Sequence, residues 1–445
     1  MRSKDSALIS KMVDIDPNDW PYIVCFKVKN KRQNKRDDKF EILRQVLGIR
    51  DTNNYQDLVK EALKTRNLEY KNNPNLIKDK QTIVDINLYE QPIVNIRLTK
   101  QQAARLAKDP NIQYVERSTL CHAAAETIPW GVTRVGGGSA IDGTKYHKGA
   151  GVRCAVADSG CDFNHDDLKP NYKGGMTAVA GTTTPMDDFN QDATGKITNE
   201  YHGTHVAGSL CAAANNTLVV GVACEAWLYA VKVLDKTGAG QATDVLEGYT
   251  WCNANNMQVV NSSFAGFGFI QSLADAIHTG FVNNCFFGCA TGNNGIEALN
   301  YPSAFANAWG VGSVDKADVL SSFSDWGPAG SGMVDFVGPG GSITSANPKG
   351  DVLSDMPGNK TQMLAGTSMA TPHISGLAAL AFANYRFNPC DTNTFPTNQP
   401  KIIHIVGAMI SSCDTLGQTQ PGVQSQKFGF GLPRAAQIMK LLSGV

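Results

Sequence analysis

Residues 153–160, Arg-Cys-Ala-Val-Ala-Asp-Ser-Gly, place a strand, its end and a sharp turn in eight positions. Four apolar residues run without alternation and stop at Asp158, and Gly160 permits a turn that leaves the carboxylate at the strand tip. Unbroken apolar runs are the pattern of strands buried on both faces, whereas half-exposed strands alternate. Comparable runs recur as AWLYAVKVL (226–234), MQVVNSSF (257–264), CFFGCATG (285–292) and AWGVGSV (308–314), separated by stretches of helical spacing. The pattern predicts an α/β fold, a mainly parallel sheet with helices on both faces. Such sheets gather their chemistry at the carboxyl ends of the strands. Asp158, Ser263 and Asn293 each sit at or just past such an end.

The first part of the chain has another character. PYIVCFKVKN (21–30) alternates as a strand, KFEILRQVLG (39–48) has helical spacing, and residues 83–97 read as a strand pair broken near Glu90-Gln91-Pro92. TKQQAARLAK (99–108) opens on a Thr cap as a second helix, and IQYVE (112–116) follows as a strand. The order β-α-β-β-α-β predicts a small α+β, ferredoxin-like unit of about 100 residues. Charge marks the same division: residues 1–124 hold 23 Lys+Arg against 16 Asp+Glu, and residues 125–445 hold 17 against 24. Two regions of net +7 and −7 predict a boundary near residue 124, which gives an extension over 1–20 ahead of the first strand, a basic domain over 21–124 and a larger acidic one over 125–445.

Zero formal net charge over the whole chain argues against a nucleic-acid or anionic-membrane partner. No run of about 18 apolar residues predicts a membrane span. The N-terminal MRSKDSALISKMVD lacks the apolar stretch of a secretory signal. Eleven cysteines leave at least one thiol unpaired. Cys285 and Cys289 lie too far apart along an extended strand to bridge each other, and Cys390 with Cys413, flanking a polar loop, is the expected pair.

Three motifs carry chemistry. GTSMATPH (366–373) presents Ser368 among small residues at a helix start, where its hydroxyl is uncrowded. A serine hydroxyl is protonated at pH 7, so it needs a base and an acid that orients the base. HGTHVAG (202–208) starts a helix of small residues with His202 exposed at its head, and Asp158 supplies a carboxylate. An Asp at a strand tip commonly only bonds its own turn, and His202 with His205, one helical turn apart, could instead join Asp158 around zinc. The zinc reading lacks the Glu of H-E-x-x-H and leaves GTSMATPH unexplained.

In this order DSG, HGTHVAG and GTSMATPH resemble the three signatures of the subtilisin-like serine proteases, the last closest to the proteinase K type. This order counts against an α/β hydrolase, whose nucleophile comes first and sits in G-x-S-x-G. The resemblance covers about residues 125–440, through YAVKVLDKTGAGQ, ATGNNG, YPSAFANAWGVGSV, SSFSDWGP and FGFGLPRAAQ. It implies a serine endopeptidase acting on protein or peptide substrates. Ser368 would be its nucleophile, His202 its base, Asp158 the orienting acid and Asn293 an oxyanion-hole donor beside the Ser368 N–H. It further implies that Ser263-Phe264-Ala265, where the family usually has Ser-Leu-Gly, pairs with substrate backbone. Gly292 and Asn300 match positions of the specificity pocket, and an Asn at 300 would shorten it.

YIVCFK, LTKQQAARLAKDP and IQYVE are similar to the propeptide of these proteases. Residues 21–124 would then be a folding aid and inhibitor, released by self-cleavage between Cys121 and Glu126 ahead of AETIPWGV, in a secreted or lumenal monomer. The family also implies no catalytic cofactor and one structural calcium. Its ligands would be Asp167, Asn215, Glu126 and the carbonyls of Ala213, Thr217 and Val219, with Leu218 standing where glycine is usual. A catalytically silent binding protein is the alternative from another class, and a zinc hydrolase a further one. Of the remaining candidates, Asp187, Asp188 and Asp192 read as a solvated acidic loop, His205 and His373 as core residues, and His165 as support for the turn after Asp158.

Overall fold

A computed structural model describes residues 2–5, 20–26, 83–88, 91–98, 100–117, 126–138, 141, 143, 145–188, 201–266, 268–386, 401–417 and 420–443. The chain divides into two compact units, Met1–Ala123 and Ala124–Val445. The first contains β1 (Arg2–Asp5), β2 (Trp20–Phe26), β3 (Ile83–Leu88), β4 (Gln91–Leu98), α1 (Lys100–Leu106) and β5 (Ile112–Arg117). They form one antiparallel sheet in the order β1-β3-β4-β2-β5. The central pair β2 and β4 are the first and third of the four strands expected from sequence, as a split β-α-β unit requires. β1 adds an edge strand inside the segment read as an extension. The helix expected over 39–48 and the Thr99 cap lie outside the described residues.

In the second unit the apolar runs become β6 (Arg153–Asp158), β8 (Trp227–Lys232), β9 (Val259–Ser262), β10 (Phe286–Ala290) and β11 (Trp309–Val314). β7 (Tyr172–Thr177) and β12 (Phe336–Pro339) complete a parallel sheet in the order β12-β11-β10-β9-β6-β8-β7. Side chains leave successive strand positions toward opposite faces. Accordingly Cys154, Val156, Leu228, Ala230, Val259 and Phe286 enter one core, while Ala155, Ala157, Tyr229, Val231, Val260 and Phe287 enter the other. Unbroken apolar runs are therefore required by a sheet covered on both sides.

Helices α2 (Trp130–Val135), α3 (His202–Cys211), α6 (Thr367–Arg386), α7 (Ile402–Ser411) and α8 (Ala435–Ser443) contribute to the first core. Helices α4 (Ala242–Ala254) and α5 (Gln271–Val282) contribute to the second. A hairpin of β13 (Val352–Met356) and β14 (Lys360–Leu364) precedes α6. The chain leaves β6 toward β7 and β8 on one side and later builds β9 to β12 on the other. The change of direction falls at the carboxyl ends of β6 and β9, and such switch points are where open α/β sheets bind ligands. Asp158 closes β6, and Ser263 directly follows β9 in the neighbouring register.

Among the described residues no helix is long and apolar enough to cross a membrane. Cys285, Cys289 and Cys413 carry free thiols, and Cys390, the expected partner of Cys413, lies outside the described residues.

Candidate active site

Asp158 is fully buried at the end of β6 and His202 is the first residue of α3. The Nδ1–H of His202 donates to Asp158 Oδ1 at 2.8 Å, and the Ser159 N–H donates to the same oxygen at 2.8 Å. A carboxylate accepts only, so this contact fixes the imidazole with its proton on Nδ1 and leaves Nε2 as the basic nitrogen. Gly203 lets α3 approach this closely, since a Cβ there would overlap Gly160 O. Gly160 itself turns with φ +101°, in the left-handed region that favours glycine.

Ser368 lies in the first turn of α6, almost buried, with its hydroxyl donating to Ser263 O at 2.9 Å. Ser263 answers through its own hydroxyl, which donates to Ser368 O at 2.8 Å. Phe264 is half-buried and Ala265 exposed beyond it. Asn293 is exposed three positions past β10, and its Oδ1 accepts from Thr367 N at 2.8 Å and Thr367 Oγ1 at 2.9 Å. These two donors fix which end of the amide is the oxygen, so Nδ2 is the end available to a developing negative charge.

The loop after β10 is organised by Asp325, which the sequence reading did not single out. Its buried carboxylate accepts from Asn294 N at 2.8 Å, Ile296 N at 3.1 Å, Asn294 Nδ2 at 3.1 Å and Asn300 Nδ2 at 3.0 Å. Asn300 Nδ2 also donates to Thr291 O at 2.7 Å, so its amide braces the loop as well as adding bulk. Gly292, at φ +112°, has no room for a Cβ beside Asp325 Oδ2 and Asn300 Nδ2.

Asp187 differs from its reading as part of a solvated loop. It is buried and accepts from Ser159 Oγ at 2.6 Å, from Thr204 N at 2.8 Å and from the Thr204 hydroxyl. Burial pushes its carboxyl up to about 7, against the pull of the Ser159 and Thr204 hydrogen bonds. Asp188 pairs with the buried Lys232 at 2.9 Å, and Asp192 lies outside the described residues.

The zinc reading meets a different geometry. Fully buried, His205 directs Nε2–H at Val352 O (3.2 Å) and Gln362 O (3.1 Å), and burial lowers it to about 3. Among the described residues the group with ligand atoms close enough for a metal is His165, Asp167 and Asp355, not His202, His205 and Asp158. In that group His165 accepts from Asp167 N at 3.2 Å on Nδ1 and donates from Nε2 to Lys360 O at 3.1 Å, so both nitrogens are engaged. Burial first, and then the Asp167 charge, hold Asp355 well above the usual carboxylate range.

The residues expected to hold calcium gather around Asp167. Glu126 Oε1 accepts from Asn216 N at 3.3 Å, and Ala213 N donates to Asp167 O at 2.8 Å. The Asp167 carboxylate, however, accepts from Asn215 Nδ2 at 3.2 Å, from Val219 N at 2.9 Å and from the Thr217 hydroxyl. Leu218 sits at φ +23°, and Asn215 turns its Oδ1 to Thr217 N at 3.0 Å. Donors thus point at the carboxylate where a hard cation requires open oxygen lone pairs. As arranged, the Asp167 carboxylate is engaged by three donors from within its own loop.

Comparison with known proteins agrees with this architecture. The family model described as the Subtilase family matches residues 149–431. M-protease of Shouchella clausii is 35% identical over 289 residues, covering 65% of this chain and 68% of that protein. Subtilisin E of Bacillus subtilis is 35% identical over 292 residues, covering 65% and 70%. A thermostable alkaline protease of Halalkalibacterium halodurans is 33% identical over 296 residues, covering 66% and 74%.

Proposed function

This chain belongs to the subtilase family and is a subtilisin-like serine endopeptidase, and we propose that it cuts peptide bonds through Ser368, His202 and Asp158. The observation that supports this assignment is the 2.8 Å bond from His202 Nδ1 to Asp158 Oδ1, which orients the imidazole with Nε2 as its basic nitrogen. On substrate binding the Ser368 hydroxyl turns from Ser263 O to His202 Nε2, gives up its proton there and attacks the scissile carbonyl carbon. Asp158 holds the tautomer and offsets the imidazolium charge. Asn293 Nδ2 and the Ser368 N–H donate to the oxyanion of the tetrahedral intermediate. His202 then protonates the leaving amine, and water releases the acyl group by the same steps in reverse.

Ser263-Phe264-Ala265 extends from β9 beside the nucleophile, a position suited to pairing with an extended substrate. Gly292 and Asn300 border the pocket for the side chain ahead of the cut. In this reading residues 21–124 are an inhibitory propeptide, removed by self-cleavage between Cys121 and Glu126, and the mature enzyme is secreted or lumenal. The test is expression of the full chain beside Ser368→Ala, with intact-mass measurement and a peptide assay. Conversion to a species starting near Ala125 in the first only is expected. Equal processing and hydrolysis in both would overturn the assignment.

A further inference from the structure

Helix α3 starts at His202, yet Tyr201 at its N-cap provides no capping side chain. Unmet N–H groups at a helix start need acceptors from elsewhere. Gly203 N donates to Ser159 Oγ at 3.0 Å, and Thr204 N donates to Asp187 Oδ2 at 2.8 Å. Ser159 directly follows Asp158, and its hydroxyl donates to Asp187 Oδ1 at 2.6 Å. One carboxylate therefore grips both the turn that carries the acid and the helix end that carries the base. Lys232, at the end of β8, ties in a third element by donating to Ser159 O and pairing with Asp188 at 2.9 Å. Ser159, Asp187, Thr204 and Lys232 are all buried. The positive end of the α3 dipole faces this carboxylate, although burial outweighs it and holds the group near 7.

We propose that Asp187 is a positioning residue for the Asp158–His202 pair, holding acid and base in register by acting as the common acceptor for Ser159 and Thr204. It touches neither substrate nor reacting atoms. Small misplacements of a catalytic group lower turnover far more than they lower substrate binding, so the effect should fall on kcat. The inference rests on the roles proposed for Asp158 and His202. Hydrolysis surviving Ser368→Ala would remove that basis, whereas an unaffected Asp187→Asn would remove only the present inference.

The experiment compares the full chain with Asp187→Asn, Ser159→Ala and the double variant, reading kcat and KM on a chromogenic peptide, Tm, and the low-field NMR resonance of the His202 Nδ1 proton. Asp187→Asn is expected to lower kcat about 10-fold or more with KM within about twofold, the scale of one lost charge-assisted hydrogen bond. The low-field resonance should move, and the double variant should be little worse than the worse single one. Unchanged kcat, an unmoved resonance, or losses that multiply in the double variant would overturn the proposal. Should Asp187→Asn not fold, Ser159→Ala, which removes one hydroxyl, decides alone: unchanged kcat and resonance overturn it.

Discussion

Ser263 and Ser368 are bonded to each other twice: each hydroxyl donates to the other's backbone carbonyl, at 2.8 and 2.9 Å. The residue that follows β9 and the first turn of α6 are thereby locked together. Removing the Ser263 hydroxyl breaks one of the two bonds and also deprives the buried Asn261 Nδ2, which donates to that oxygen at 2.9 Å. Ser263→Ala should cost about 1–3 kcal/mol of stability through the unsatisfied amide. Urea denaturation in a Ser368→Ala background, which lacks the other bond of the pair but keeps the Ser263 hydroxyl on Asn261 and on Ser368 O, measures it, and a loss below about 0.5 kcal/mol contradicts the account.

The strands, the sheet and the three motifs are legible in sequence because each is local: apolar runs fix β6, β8, β9, β10 and β11, and GTSMATPH and HGTHVAG hold their key residues within a few positions. What holds those residues together is not local. Asp187 stands 28 positions from Ser159 and 17 from Thr204, inside a polar loop, and only the fold reveals that its carboxylate is buried between them. Asp325 lies 31 positions from Asn294, in a segment where an acidic residue reads as surface. For the Asp167 loop, the sequence offered the right oxygens at the right spacing. Which of them face donors depends on side-chain rotation, which no spacing encodes.

Gly292 is required by space and by backbone. At φ +112° an L side chain is strained, and its Cβ would lie 2.7 Å from Asn300 Nδ2 as well as overlapping Asp325 Oδ2. Gly292→Ala should cost about 1–3 kcal/mol and loosen the loop that carries Asn293. Both a lower Tm and a lower kcat are expected. A variant with wild-type Tm and kcat shows that the loop accommodates the methyl group.

Asn293→Ala removes the side-chain donor of the proposed oxyanion hole but leaves the Ser368 N–H. Turnover should fall about 10²–10³-fold with KM little changed, a magnitude taken from a subtilisin, a relative of this chain, and not from its own geometry. A fluorophosphonate should still label Ser368 in this variant, because the nucleophile and base are intact. Loss of affinity without loss of turnover would assign Asn293 to substrate binding instead.

Chelation should leave stability unchanged. The Asp167 carboxylate is already met by Asn215, Thr217 and Val219, so the loop closes on its own hydrogen bonds. The Tm of the full chain in EDTA and in excess calcium should agree, whereas a bound ion at 100 times its Kd would add about 2.7 kcal/mol. A clear calcium-dependent rise in Tm means that Asn215 and Thr217 turn their oxygens to a cation.

Two neutral buried histidines should lose their share of the second unit's stability as pH falls. Burial lowers His373 to about 4 and His205 to about 3, with the His373 Nδ1–H donating to Met369 O at 2.8 Å and Nε2 packed against Gly131. An unfolded histidine titrates near 6.5, so between that pH and about 4 the unfolded chain binds protons that the folded chain refuses. Their stabilising contribution is thus present above pH 6.5 and declines as pH falls, by up to about 1.4 kcal/mol per pH unit for each. Asp187, raised to about 7, Asp335, raised to about 8, and Asp355, held well above the usual carboxylate range, all by burial, have the opposite slope, so total stability alone does not isolate the histidines. The difference between His373→Gln and its parent does, since glutamine keeps a donor for Met369 O but does not titrate. Measured by urea denaturation in the Ser368→Ala background, the gap should shift in favour of the variant as pH falls from 6.5 to 4. A gap that stays constant across that window would mean that His373 takes up its proton within the folded core.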